Sequence, residues 1–110
     1  MTVDGLGNVY ILGDSTYSIY KYSPSGELLA RFGSEGDEKG QFRSPLAMAA
    51  DGQGRIYVSD IGGIQVFSSD GRYLDHFNVE GVAFGLAFSD QGELWVASNK
   101  PQLIKYTIVK

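Results

Sequence analysis

Three segments of this chain follow one pattern. Gly7-Asn8-Val9-Tyr10-Ile11, Gly54-Arg55-Ile56-Tyr57-Val58 and Gly92-Glu93-Leu94-Trp95-Val96 each run glycine, polar, apolar, aromatic, apolar. Gly7 to Gly54 is 47 residues and Gly54 to Gly92 is 38. Self-similarity at such a spacing marks an array of supersecondary units, none of which can bury its apolar face alone.

The rest of the unit repeats in register. Ahead of the second anchor, Pro45 to Gly54 aligns without gaps with Ala83 to Gly92, and Met1 to Gly7 matches the end of that segment. After the anchors come Ile19-Tyr20-Lys21-Tyr22, Ile64-Gln65-Val66-Phe67 and Leu103-Ile104-Lys105-Tyr106, and Gly26 to Phe32 then matches Gly71 to Phe77. In the complete copy this gives four short strands at 45–50, 55–59, 64–67 and 72–77, with Asp51-Gly52-Gln53-Gly54 and Ser69-Asp70-Gly71 supplying hairpin turns through a positive φ at Gly or Asp. The expected fold is all-β, an antiparallel meander of four-stranded blades. The first two strands of each unit are nearly all apolar, as an inner pair buried on both faces would be, and the last mixes charges in, as in Arg72-Tyr73-Leu74-Asp75-His76-Phe77. A propeller blade requires that gradient, with its first strand at the axis and its last at the rim. The competing source of such periodicity is a run of similar hairpins in a β-sandwich, which three copies sharing several ordered elements disfavour.

The segments also resemble NHL repeats, the blades of a six-bladed propeller family. The resemblance rests on Phe32-Gly33, Gly40-Gln41-Phe42, Pro45, Ala49-Ala50-Asp51, Gly54 to Val58, Asp60, Gln65-Val66-Phe67 and Asp70-Gly71. It covers the middle repeat fully and the flanking repeats more weakly. It implies the propeller fold but no single activity, because members bind proteins, bind RNA or, in lyase relatives, do chemistry.

We expect one partial propeller unit over residues 1–110, with blades at 1–33, lacking most of the first strand, 45–77, complete, and 83–108, lacking the last strand. These strands fall short of six four-stranded blades, so each end blade would expose an apolar face. A second copy completing a six-bladed ring is the expected partner. The competing explanations are an excerpt of a longer propeller and a truncated or engineered self-assembling fragment.

Charge bounds the ligands. With 9 basic and 13 acidic residues the formal net charge is -4, and no basic stripe is present to neutralise phosphates, so a nucleic-acid surface is not expected. There are no cysteines, hence no disulfides, thiolate metal sites or cysteine nucleophile. No apolar run is long enough to span a membrane, and no basic segment followed by an apolar stretch marks a secretory signal. The compartment is left open.

In a meander, alternate turns fall on opposite ends. The second-to-third-strand loops and the linkers between blades therefore share one face, comprising 13–18, 33–44, 60–63, 78–82 and 98–101. That face carries Asp14, Glu35, Asp37, Glu38, Asp60 and Glu80 against Lys39, Arg43 and Lys100. A mildly acidic face suits a cation, a basic peptide or a polar small molecule. The candidate partner face is Asp14, Glu35, Asp37, Glu38, Lys39, Asp60, Asn99 and Lys100. Asp60 could line a central pocket or cap its own loop, the commoner use of Asp in a turn. No Asp-x-Asp-x-Asp-Gly loop is present, so a dedicated calcium site has no sequence support; no metal and no cofactor is expected.

The glycine-rich stretch from Phe32 to Pro45 has the look of a phosphate loop, but it lacks a Gly-Lys-Ser/Thr ending and carries Glu35, Asp37 and Glu38. We read it as the connection between blades. His76, the only histidine, falls on the outer strand without a partner. Tyr57 and Trp95 occupy one blade position and are expected in the inter-blade core rather than as stacking platforms. No nucleophile elbow or His-Glu-x-x-His zinc motif appears. The expected role is a non-catalytic binding or scaffold module that recognises a protein, peptide or small polar ligand on the loop face near the channel. The alternative is a fragment of a lyase- or lactonase-like propeller enzyme.

Overall fold

The structure, a computed structural model, describes residues 1–13, 17–79 and 81–98, together with the backbone of 103–106. Among them every regular element is a strand. The first sheet holds β1 (Thr2–Val3), β2 (Val9–Leu12), β3 (Ile19–Tyr22) and β4 (Leu28–Phe32) in that order. A short pair, β5 (Ser34–Glu35) and β6 (Gln41–Phe42), follows in the linker. The middle sheet runs β7 (Ala47–Ala50), β8 (Ile56–Asp60), β9 (Gly63–Phe67) and β10 (Tyr73–Phe77), and the third runs β11 (Ala83–Phe88), β12 (Leu94–Ser98) and β13 (Leu103–Tyr106). Within these three sheets every pairing is antiparallel between chain neighbours, so each is a meander. The first sheet includes a short first strand, and the middle sheet's strands match the sequence-based bounds to within two residues.

One turn builds five of the hairpins. At Asp4, Ser23, Asp51, Ser68 and Ser89 the residue's N–H donates to the carbonyl four residues on, and the glycine three residues on donates back to its carbonyl. In the same five turns its side-chain oxygen accepts from the N–H four residues on, at 2.9–3.1 Å. The third loop residue is glycine each time, at Gly7, Gly26, Gly54, Gly71 and Gly92, with φ of 79–93°. A three-residue hairpin loop ending in a left-handed residue needs that glycine, since any Cβ would be strained there. Asp70 does not take the positive φ that the sequence allowed it; Gly71 does.

Packing follows from strand alternation. On the middle sheet Ile56, Val58 and Phe67 turn toward Tyr10 and Ile19 of the first sheet, whereas Tyr57, Ile64 and Val66 turn toward Leu94 and Val96 of the third. The middle sheet is thus apolar on both faces and covered on both. Ser59 ties it to the third sheet by donating to Ala83 O at 2.8 Å. Between sheets β7 lies against β1 and β11, and β8 also lies against β11. The first strands converge and the outer strands β4 and β10 are largely exposed, which is blade geometry. One expectation is corrected: the fully buried pair is β8 and β9, the second and third strands, while β7 is buried only at Met48 and Ala49. Neighbouring sheets cover the middle strands of a blade from both sides, but at the convergence the first strand opens to solvent.

Tyr10 and Tyr57 lie buried at the repeat's aromatic position. Each hydroxyl reaches a turn aspartate: Tyr10 donates to Asp4 Oδ2 at 3.0 Å and Tyr57 to Asp51 Oδ2 at 3.3 Å. Burial is the main cause raising both phenols, with the aspartates adding to it, and Tyr57 is pushed up to about 12 with Arg55 opposing the shift. A phenol raised above its unfolded value of ~10 contributes stability that is intact below that value and lost as pH rises through the folded one. We expect an ultraviolet titration of the seven tyrosines to show two that ionise only together with loss of the fold. Smooth titration of all seven near the ordinary value would contradict these hydroxyl placements. At the acid end, burial pushes the Asp4 carboxyl up, but hydrogen bonds from Asn8, Tyr10 and Leu6 outweigh it and hold the group below its usual range. Its contribution is intact above pH ~4 and fades as pH falls through the folded value.

Candidate functional site

The connection between the first and middle sheets is a built structure. Ser34 and Glu35 pair in parallel with Gln41 and Phe42, and Gly36 N donates to Phe42 O at 3.0 Å. Phe42 is fully buried in the first core cluster, its ring 5.6 Å from that of Phe67. Gln65 projects from the apolar strand β9 and takes both sides of the linker backbone: its Oε1 accepts from Gly40 N at 3.0 Å and its Nε2 donates to Gln41 O at 2.6 Å. A buried amide so satisfied is a fastening, because leaving either partner unmade would strand a desolvated polar group.

Asp60 fastens the far end. Its Oδ1 accepts from Gly62 N at 2.8 Å, capping its own loop, and its Oδ2 accepts from Arg43 N at 2.9 Å. Ile61 N donates to Arg43 O at 3.2 Å. The loop after β8 and the linker therefore share one end of the sheets, as alternating turns require.

Between the linker and the outer half of the middle sheet lies an open cleft of about 430 Å³, lined by Gly36, Asp37, Glu38, Lys39, Gln41, Arg43, Asp60, Gly62, Gln65, Tyr73 and His76. Arg43 pairs with Asp37 at 3.0 Å, both side chains being more than half exposed, so screening keeps that pair weak. Lys39 stands 6.0 Å from the centre of the Tyr73 ring. His76 Nε2 is 3.0 Å from Gly62 O; a carbonyl only accepts, so this nitrogen carries the proton. Asp60 and Gln65 are both engaged by backbone partners, which leaves Glu38, Lys39 and the ring edges of Tyr73 and His76 to meet a ligand.

Of the residues singled out from sequence, the cleft brings together Asp37, Glu38, Lys39 and Asp60. Glu35 is exposed on β5 and is not part of its lining. Asp14, Asn99 and Lys100, with Glu80, lie outside the described residues. His76 sits on the outer strand β10 as expected, yet forms one wall. No residue of β7 contributes to the lining, so the cleft belongs to the outer half of the blade rather than to the side where the first strands meet. Gln65 was read from sequence only as part of the repeat motif and not as a site residue; its signal is a lone amide inside Ile64-Gln65-Val66-Phe67, where the first copy has Tyr20. Tyr57 is core, its ring 4.8 Å from that of Phe88, and Trp95 is half-buried. Among the described residues no group of three or more His, Asp or Glu is placed to hold a metal ion.

The fold is similar to that of a protein of unknown function from Bacteroides caccae, with TM-score 0.69 and 21% identity over 98% of this chain and 42% of that one. It is similar to a streptogramin B lyase, with TM-score 0.67 and 16% identity over 96% of this chain and 39% of the lyase. A gluconolactonase from Xanthomonas campestris aligns with TM-score 0.54 and 22% identity over 87% of this chain and 35% of its own. These are propeller-type proteins, and the likeness is one of fold. The chain spans about two fifths of the length of the first two. No protein-family model and no curated protein sequence matches it.

Proposed function

We propose that this chain is a non-catalytic recognition module of NHL type, which uses the linker cleft on its loop face to bind a peptide or small polar ligand carrying a cationic group. The observation that supports this most is the fastening of the linker. Gln65 and Asp60 hold residues 40–43 by three hydrogen bonds to their backbone, so the cleft is formed before any ligand arrives, and a preformed site binds without the cost of ordering a loop. The NHL assignment is supported by the roles its motif residues take. Gln41-Phe42 anchors the linker, Asp51 seats a turn and Asp60 caps the following loop.

Calorimetric titration with short Lys/Arg-rich peptides tests this. Binding should weaken with salt, and Glu38→Lys should weaken it several-fold at low ionic strength while leaving the melting temperature unchanged, because Glu38 is exposed. Equal affinity for basic and acidic peptides would overturn the reading.

A second reading, as part of a lyase- or lactonase-like enzyme, is supported by two of the fold neighbours and by His76 in the cleft wall. Here His76 is held by a backbone carbonyl rather than by a carboxylate that would orient it as a base. Hydrolysis of a simple aldonolactone, abolished by His76→Ala, would decide for the enzyme.

A further inference from the structure

The end of the sheets away from the linker carries the turns at Asp4, Asp51 and Ser68. Between the first and middle sheets these turns frame a second groove, of about 340 Å³. Gly5 and Leu6 form one rim and Gly52 and Gln53 the other, with Lys21 of β3 and Ser69 of the middle sheet between them. The two sheets that bound the groove pack against each other through one core cluster, so its walls are complete within the described residues.

Lys21 is the unexpected residue there. It pairs with Tyr10 in register, and the repeat alignment gives the middle copy a buried Val66 at the same position. Its Nζ donates to Ser69 O at 2.8 Å and stands 5.6 Å from the centre of the Tyr10 ring. The amine is thus held across the groove by a neutral carbonyl and a ring, and among the described residues it pairs with no carboxylate. Asp4 also lines the groove, but its oxygens are filled: Oδ1 accepts from Leu6 N and Asn8 N, and Oδ2 from Asn8 Nδ2 and the Tyr10 hydroxyl. An ammonium has three donors, of which two remain here. Gly5 N and Gly52 N have no acceptor among the described residues, and a Cβ added at either glycine would meet nothing within 4 Å. Both rims therefore offer backbone donors that no side chain screens. Leu6, 83% exposed, supplies an apolar wall beside them.

The geometry points to a second binding site in this groove, one that takes the carboxylate of a small ligand with an apolar chain, Lys21 meeting the carboxylate and Leu6 covering the chain. A carboxylate brings acceptors to a set of donors that lacks them, and its bond to an ammonium is of the stronger, charge-assisted kind. The ammonium is already positioned, so it needs no ordering to receive the ligand. A cationic ligand fits badly, because Asp4 has no oxygen lone pair free for it and Lys21 repels it. The site is independent of the linker cleft, which lies at the other end of the sheets and is proposed above to take a cationic group. Were Lys21 only a fastening between blades, as Gln65 is for the linker, its loss would lower the melting temperature and the groove would bind nothing.

Backbone amide shifts recorded while sodium acetate, butyrate and hexanoate are titrated in turn at constant ionic strength test the site. Saturable shifts should appear at Gly5, Leu6, Lys21, Gly52 and Gln53, and affinity should rise with chain length as more of the chain reaches Leu6. Residues 36–43 should stay unmoved. Lys21→Met keeps the stem but not the charge and should weaken hexanoate binding about tenfold. Should that variant fail to fold, Gln53→Glu is the substitute: Gln53 is exposed, and a carboxylate there should weaken hexanoate several-fold by repulsion. Non-saturating shifts, equal shifts with hexylammonium chloride, or hexanoate affinity unchanged in the folded variant would each overturn the proposal.

Discussion

Phe67→Ala is expected to cost about 3–5 kcal/mol, the usual range for deleting a fully buried aromatic whose surroundings collapse incompletely. Phe67 is almost wholly buried, and its ring centre lies 5.1 Å from that of Phe32, 5.6 Å from Phe42 and 6.1 Å from Tyr73. These neighbours come from β4, from the linker and from β10, so one truncation loosens two blades and the connection between them. The lining cannot follow the lost ring inward, because each neighbour is held by a different element. A domain of this size has about 5–15 kcal/mol in total, and the melting temperature should fall by roughly 10–20 °C. Urea unfolding at fixed protein concentration measures it; a loss below about 1 kcal/mol would place Phe67 outside the shared core.

The second large effect concerns a charge. Asp51 is buried and accepts four hydrogen bonds: from Gln53 N and Arg55 N at 2.9 Å each, from Arg55 Nε at 2.7 Å and from the Tyr57 hydroxyl at 3.3 Å. Asp51→Ala should cost about 2–4 kcal/mol. Removing one partner strands the other's buried donors, and the figure is set below the full buried-pair range because Arg55 keeps some contact with water. The repeat supplies its own control. Ser89 holds the same turn in the third sheet through two accepted backbone bonds only, at 3.3 and 3.1 Å, so Ser89→Ala should cost about 1 kcal/mol or less. Equal losses at the two sites would mean that the turn, rather than the Asp51 network, carries the energy.

The comparison also shows what a sequence can disclose. The turns at Asp51 to Gly54 and Ser69 to Gly71 were legible because a hairpin's glycine is a local signal; the side-chain acceptor that opens each turn, at Asp51 and at Ser68, emerged only from the structure, although it too is fixed by adjacent residues. The two-faced middle sheet was legible from its unbroken apolar strands. The cleft was not, apart from its charges. It depends on Gln65 reaching Gly40 and Gln41, which stand 25 and 24 residues away in the chain, and on His76 lying across from Gly62. Such pairings follow from how a linker drapes over a blade, which neither periodicity nor turn chemistry encodes. The burial order of the strands was misjudged for a related reason: composition makes the first strand as apolar as the second, whereas burial is decided by what neighbouring sheets cover.

Backbone amide chemical-shift mapping with a Lys/Arg-rich peptide tests the central claim, that the linker cleft is the recognition surface, most directly. Shifts should be confined to residues 36–43 and 60–62 and to Gln65, Tyr73 and His76, and should vanish in Gln65→Leu, which keeps the apolar strand but releases the linker. Shifts gathered instead at the turns of Asp4 and Asp51 on the opposite end, or unchanged binding by Gln65→Leu, would contradict it.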